Sequence, residues 1–322
     1  MKRSFYLVAA ALLAASLAAQ TTDLDAPKET PNAKPDIWVK AAAADAKAAE
    51  DAARKDACVR LVAAAYQLEV ANNRDVYDMM LKNSQVDKAL IAALADAAPN
   101  DAQYLEDGTV RVTVTATPAQ VVAILKKAYA KVDWDKAEED AVIDAAGSRA
   151  KKDALLTATG EGALPGSLGE KRIPVRRAAL VKAEQEIAVQ VLSMVLRDDY
   201  HKQDHVHDFC LGIREGQKKL ALGLSLARVY TEEWAEDGSV DLKAEVNAKP
   251  VIHLLYLARD LYDRRNTYRD WGWSGMINAA EDMILQGSAK AKPADVPPPA
   301  APLAVELKAV DEAMKAALAA GK

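Results

Sequence analysis

Glu106-Asp107-Gly108-Thr109-Val110-Arg111-Val112-Thr113-Val114-Thr115-Ala116 turns and then alternates. Val110, Val112, Val114 and Ala116 fall on one side of an extended chain, and Arg111, Thr113 and Thr115 on the other. That period of two marks a strand with one buried and one wet face. Asp107-Gly108 supplies the positive-φ residues of a tight two-residue hairpin turn. The pattern returns at Glu236-Asp237-Gly238, after which Val240, Leu242, Ala244 and Val246 alternate with Asp241, Lys243 and Glu245. A lone two-stranded hairpin is marginal in water. Each hairpin must therefore lie on helices, pair with the other hairpin, or pair with another molecule.

Gly108 and Gly238 stand 130 positions apart, and the same offset pairs residues over a long stretch without a gap. It sets Val59 with Val189, Val76 with Val206, Asp78 with Asp208, Leu90 with Leu220 and Leu94 with Leu224. Further on it sets Val121 with Val251, Leu125 with Leu255 and Ala128 with Ala258. One register over this length predicts an internal duplication. Each copy reads as a long Ala-rich helix (about 41–70 and about 175–196), a shorter partly helical stretch, and the hairpin. A helix then begins near Pro118 or Pro250, where a first turn tolerates the missing N–H. Asp133-Trp134 or Asp270-Trp271, a further helix, and Gly147-Ser148 or Gly287-Ser288 close each copy. The fold class predicted is α+β: two repeated αββα modules, over 37–148 and 153–288.

The flanks carry their own signals. Lys2 and Arg3 precede an apolar run from Phe5 to Ala15, and Ser16-Leu17-Ala18 offers a signal peptidase its small residues. Residues 1–19 are read as a secretory signal peptide cut after Ala18, which places the protein in the periplasm or cell envelope. Residues 20–36 form a leader with Pro27, Pro31 and Pro35, and 289–302 a Pro-rich linker. Beyond it Leu303, Leu307, Val310, Met314 and Ala317 predict an amphipathic helix over 303–320. No later apolar stretch is long enough to span a bilayer. Of 322 residues 51% are hydrophobic but only 5% aromatic, so the core must be mostly Ala, Val and Leu. Net charge is −5 with both signs interspersed, and nothing in that balance would hold a nucleic-acid backbone. Cys58 lies with Leu61, Val62 and Ala65 at helical spacing, a core position; its pairing with Cys210 is left open.

Few residues suggest chemistry. His201, His205 and Asp208 would share one face if their segment were helical, and with His207 nearby could hold zinc or copper. The stretch Ala71 to Asp78, in register with that segment, has no His; only the Asp recurs, as caps do. His253 sits among Val251, Ile252 and Leu254 as a packed residue. Gly166-Ser167-Leu168-Gly169 and Gly272-Trp273-Ser274-Gly275 both miss the spacing of a nucleophile elbow. Gly160, Gly162 and Gly166 are spaced too widely for a dinucleotide fingerprint. Arg269, Trp271 and Trp273 offer the aromatic-plus-arginine composition of a binding hot spot, and equally that of a core plug. The expectation is a non-enzymatic envelope scaffold or binding protein, with protein partners or itself.

Thr157-Ala158-Thr159-Gly160-Glu161-Gly162-Ala163-Leu164-Pro165, followed by Arg176-Arg177-Ala178-Ala179-Leu180-Val181-Lys182-Ala183, resembles the twenty-kilodalton bacterial lipoprotein family. That family shows a threonine–alanine–threonine–glycine strand, an arginine–alanine–alanine helix and a hairpin turned at an acidic–glycine pair. The second copy resembles the pattern over about 154–262; the first does so through Ala52-Ala53-Arg54-Lys55-Asp56-Ala57 and Glu106-Asp107-Gly108. The N-terminal module of a flagellar outer-membrane-ring assembly protein looks similar. The resemblance implies an envelope structural protein and assigns no catalytic residue. Lys182-Ala183 stands where the family has aspartate–alanine, and the lipid-anchor Cys of the family has no counterpart here.

Overall fold

The computed structural model describes residues 34–70, 74–82, 84–95, 97, 99–129, 155–199, 202–269 and 271–296. The expected signal peptide, most of the leader and the tail helix lie outside these residues. The first half runs α1 (Asp36–Lys40), α2 (Ala43–Tyr66), β1 (Glu69–Val70), β2 (Arg74–Asp75), α3 (Val76–Lys82), α4 (Ser84–Leu94), β3 (Pro99–Tyr104), β4 (Thr109–Ala116), α5 (Pro118–Tyr129) and β5 (Leu156–Ala163). The second runs α6 (Leu168–Leu192), β6 (Val195–Asp199), β7 (Lys202–His205), α7 (Val206–Gly212), α8 (Arg214–Leu224), β8 (Arg228–Trp234), β9 (Val240–Asn247), α9 (Ala248–Tyr262), α10 (Trp273–Ala279) and β10 (Ile284–Ala291). The mixed α+β class is the one expected.

Each hairpin acquires a third strand. The first sheet has the order β3-β4-β5 and the second β10-β9-β8, with antiparallel neighbours throughout. The alternation in β4 is realised: Val110, Val112, Val114 and Ala116 are all buried. The turns differ from the two-residue form expected. Gly108 N donates to Leu105 O, Leu105 N donates to Thr109 O, and only Gly108 has positive φ, at +85°. That is a three-residue loop, a type I turn closed by a glycine bulge. Ala235 to Ser239 repeats it, with Gly238 at φ +77°. Asp107 and Asp237 instead accept the N–H of Thr109 and Ser239, each at 2.9 Å.

The third strands move the expected boundaries. β5 pairs with β4, Val112 facing Gly160 and Val114 facing Ala158, so the threonine–alanine–threonine–glycine strand completes the first sheet. Leu156–Ala163, expected inside the second module, thus pairs with a strand of the first. Gly287-Ser288, expected after a helix, lies inside β10, where Gly287 faces Ala244. Within the linker expected at 289–302, residues up to Ala291 belong to β10 and Pro293–Asp295 forms a 3-10 turn, while 297–302 lie outside the described residues.

Small residues explain how the helices cover the sheets. Ala49, Ala53 and Ala57 recur every fourth residue on α2 and are buried. They lie directly on β5: a Cβ added at Gly162 would stand 2.1 Å from Ala49 O, and one at Gly160 would stand 2.3 Å from Ala53 O. On α6, Val175, Ala179, Ala183, Ile187 and Val191 make the buried row, and a Cβ at Gly287 would meet Ala183 O at 2.2 Å. The helix therefore approaches the strand backbone itself, which only glycine permits. α6 begins earlier than expected because Ser167 caps it: its Oγ accepts Glu170 N at 3.2 Å, while Glu170 Oε2 accepts Gly166 N at 2.6 Å. α2 ends at Tyr66 rather than near 70, and the β1–β2 hairpin follows.

The outer edge of β10 is closed by side chains of α6. Gln190 Nε2 donates to Gln286 O at 2.6 Å, Glu186 Oε2 accepts Ser288 N at 2.6 Å, and Lys182 Nζ donates to Lys290 O at 3.2 Å. Residues four apart on a helix here meet residues two apart on a strand, so the helix acts as the missing neighbour. This is one way an edge is kept from pairing with other chains.

Candidate functional site

The most demanding chemistry in the molecule lies where the halves meet. Lys219, on the apolar face of α8 with Gly216, Leu220 and Gly223, is 0% exposed. Its Nζ donates to Asp75 Oδ2 and to Asp78 Oδ2, both at 2.7 Å. Asp75 ends β2 and Asp78 lies in the first turn of α3, and each caps the other: Asp78 N donates to Asp75 Oδ1 at 3.0 Å, and Asp75 N to Asp78 Oδ2 at 3.2 Å. The Tyr262 hydroxyl, from the last turn of α9, donates to Asp78 Oδ1 at 2.9 Å. Every carboxylate oxygen of the pair thus has a donor, as burial requires. The two carboxylates come from the first half; the ammonium and phenol come from the second.

Burial governs the electrostatics. Desolvation, joined by the like charge of Asp78, raises Asp75 to about 7 against the pull of Lys219. Tyr77 is raised to about 12 by burial and then by Asp75, Asp78 and Glu215. Tyr262 is raised by burial first and by Asp78 next. An enclosed ammonium gripped by two carboxylates is a tie, not a free amine nucleophile.

A second polar network joins the halves along α6. Arg176 Nη1 lies 3.1 Å from Glu161 of β5 and its Nε 2.7 Å from Glu232 of β8. Arg111 of β4 reaches Glu161 at 3.0 Å. Arg177 pairs with buried Asp56 of α2 at 2.9 Å, and Asp56 Oδ2 accepts Glu161 N at 3.1 Å. Burial would raise Glu232, but the hydrogen bond and charge of Arg176 outweigh it and hold Glu232 below the usual carboxylate range. Arg172 reaches Asp107 at 3.3 Å and lies over the Trp234 ring at 4.7 Å. The arginine–alanine–alanine segment therefore staples one half to the other.

Of the residues singled out by sequence, His205, His207 and Asp208 stay together, and so do Trp271 and Trp273. Lys202–His205 is a strand and Val206–Gly212 a helix, so the continuous helical face needed to align His201, His205 and Asp208 does not form. His201 lies outside the described residues. Asp208 Oδ2 accepts His205 N at 2.8 Å, and His205 Nδ1 and His207 Nδ1 stand 3.8 and 3.7 Å from its carboxylate. Asp208 thus caps α7 as Asp78 caps α3. No group of three or more His, Cys, Asp or Glu suited to a metal occurs among the described residues.

Trp271 and Trp273 are buried at 8% and 1% exposure. Trp273 Nε1 donates to Tyr268 O at 3.1 Å, and its ring meets Phe209 edge-on at 4.8 Å. They form the core plug, whereas Arg269 is exposed on the loop beside them. Cys58 and Cys210 are buried and not bridged to one another, in separate clusters; the Cys58 thiol donates to Ala95 O, and burial pushes Cys210 up to about 12.

Sequence reasoning noticed Asp78 as a cap but missed Asp75, Lys219 and Tyr262. The one available signal was Lys219 falling on an apolar helical stripe. A shallow groove of about 410 Å³ is lined by Met194, Val195, Met276, Met283 and small residues, none of them titratable. No helix among the described residues is long and apolar enough to cross a membrane. Compared with known protein families, with curated proteins and with solved structures, the chain matches none.

Proposed function

We propose that this protein is a non-enzymatic, exported scaffold or binding protein of the cell envelope, built by internal duplication of one helix-covered three-stranded unit. The observation that carries the reading is the use made of its convergent charges. Lys219, Arg176 and Arg177 are all engaged in tying one half of the chain to the other. Such ties suit a rigid body that presents surfaces.

The duplication is supported by the glycine bulge turn in both hairpins, the Asp78 and Asp208 caps, and the glycine under an alanine of each long helix. Val76 N donates to Leu68 O and Val206 N to Met194 O, so the residues that follow the long helices stand 126 positions apart while the helix starts after the small hairpins stand 130 apart. The gapless pairing of Val59 with Val189 is therefore replaced by a register that shifts at the β6–β7 hairpin. The resemblance to the twenty-kilodalton lipoprotein family supports the envelope assignment.

Self-association is proposed at β3. This strand pairs with β4 alone among the described strands, and Pro99, Asn100 and Asp101 are exposed. Light scattering after size-exclusion chromatography tests it: a strict monomer at high concentration ends the self-associating form. Cross-linking and affinity capture from the native envelope test the scaffold reading itself. Reproducible recovery of envelope proteins supports it; recovery of nothing above a control counts against it.

A further inference from the structure

The buried cluster at the junction is uneven in charge. Two carboxylates, Asp75 and Asp78, face the single ammonium of Lys219. Among the described side chains, the phenols of Tyr77 and Tyr262 feel both carboxylates, and the Glu215 carboxylate adds negative charge at the same two phenols. Asp75, Asp78 and Lys219 are exposed by 0%, 1% and 0%, so solvent does little to spread the excess. A net charge without water around it is costly, and the smallest change that cancels it is one proton.

The donors decide which carboxylate takes it. Asp78 accepts from Lys219, from Tyr262 and from the Asp75 N–H. Among the described residues, Asp75 accepts from Lys219 and from the Asp78 N–H only. Fewer donors stabilise the Asp75 anion, so Asp75 is where the proton is placed.

We infer that the junction is a proton-binding latch: Asp75 takes a proton from solvent as the medium becomes mildly acidic, Asp78 and Lys219 keep their ion pair, and the two halves hold together more firmly. The inference concerns the junction alone and stands whatever the chain binds. Burial-driven elevation of Asp75 to about 7 agrees with it. The sign follows from linkage. The folded value lies above the unfolded value of about 3.9, so the folded state binds the extra proton. The stabilisation is full below that unfolded value and is lost as pH rises through 7.

The test compares the wild-type chain with Asp75→Asn in urea denaturation from pH 5 to pH 8. One linked proton shifts the folding equilibrium by up to about tenfold per pH unit. The wild type should lose at least about tenfold relative to Asp75→Asn across that range; a difference that stays constant overturns the latch. Should Asp75→Asn fail to fold, a carbon-13 titration of aspartate carboxyls in the wild type decides. One carboxyl with a midpoint between about 6 and 8 is expected, and aspartates that all titrate below about 5 overturn it.

Discussion

Gly160 of β5 lies so close beneath Ala57 of α2 that a Cβ on the glycine would stand 2.1 Å from the Ala57 nitrogen. No rotamer change relieves such a contact, because both partners are backbone. Gly160→Ala must push α2 off its sheet, and overpacking of this kind costs about 1–3 kcal/mol, occasionally more. Gly166→Ala separates this effect from backbone freedom. Gly166 has φ +74° and nothing near its missing Cβ, so its cost comes from the left-handed backbone alone. Urea denaturation of both variants should show the larger loss at Gly160.

That contact also explains what the sequence concealed. β4 and β9 were legible because large apolar residues alternate with polar ones. β5, which only the family resemblance marked as a strand, and β10 were not legible from alternation, since their inward positions are Ala158, Gly160 and Gly162, or Leu285, Gly287 and Ala291. Where a helix backbone must come close, the inward residue loses the size that would advertise it. Lys219 was hidden for a different reason: beside Lys218 it reads as half of a solvated pair, and its partners lie 144 and 141 positions away. The helical spacing read across His205 and Asp208 meets a strand-to-helix junction instead, which no periodicity in that segment announces.

Lys219→Met removes the ammonium that two enclosed carboxylates share. Breaking a buried ion pair by deleting one partner costs about 3–5 kcal/mol, largely the price of the charge left behind. Adding Asp75→Asn and Asp78→Asn to Lys219→Met should recover most of that loss, since the orphaned charge is then gone. Chemical denaturation of the single and triple variants checks it. A triple variant no more stable than the single would show that the loss is one of packing.

Arg176→Ala removes the nearer of two guanidiniums that Glu232 shares with Glu161, leaving Arg111 at 3.7 Å from Glu232. Removal of a charged hydrogen-bond partner from a partly buried carboxylate costs about 1–3 kcal/mol at neutral pH. Glu232 is held below its ordinary value when folded, so its stabilisation exists above the unfolded value of about 4.3 and fades as pH falls below it. The penalty of Arg176→Ala should therefore shrink between pH 7 and pH 3.5. This dependence runs opposite to that of Asp75, whose raised value makes acid favourable.

Both cysteines should resist a thiol reagent in the native protein and react once it is unfolded. Cys58 and Cys210 are 5% and 0% exposed, and burial pushes Cys210 up to about 12, so almost no thiolate forms at neutral pH. Counting thiols with and without denaturant, in the absence of reductant, should give no reactive groups and then two. One reactive group in the folded state would place a cysteine at the surface.

Trp273 and Arg269 separate the core-plug role from the contact role that sequence allowed to both. Trp273 fills the space between Phe209, Tyr256 and the Tyr268 carbonyl. Its truncation to alanine should cost about 3–5 kcal/mol through lost burial and the cavity left behind. Arg269→Ala, at an exposed loop position, should change stability by no more than about 0.5 kcal/mol. Thermal and urea denaturation of the two variants, with affinity capture repeated on each, gives the comparison. Trp273→Ala should lose stability first and capture only in proportion to unfolding. A capture defect in a fully folded Arg269→Ala variant would instead locate a contact surface on the loop that leads into Trp271.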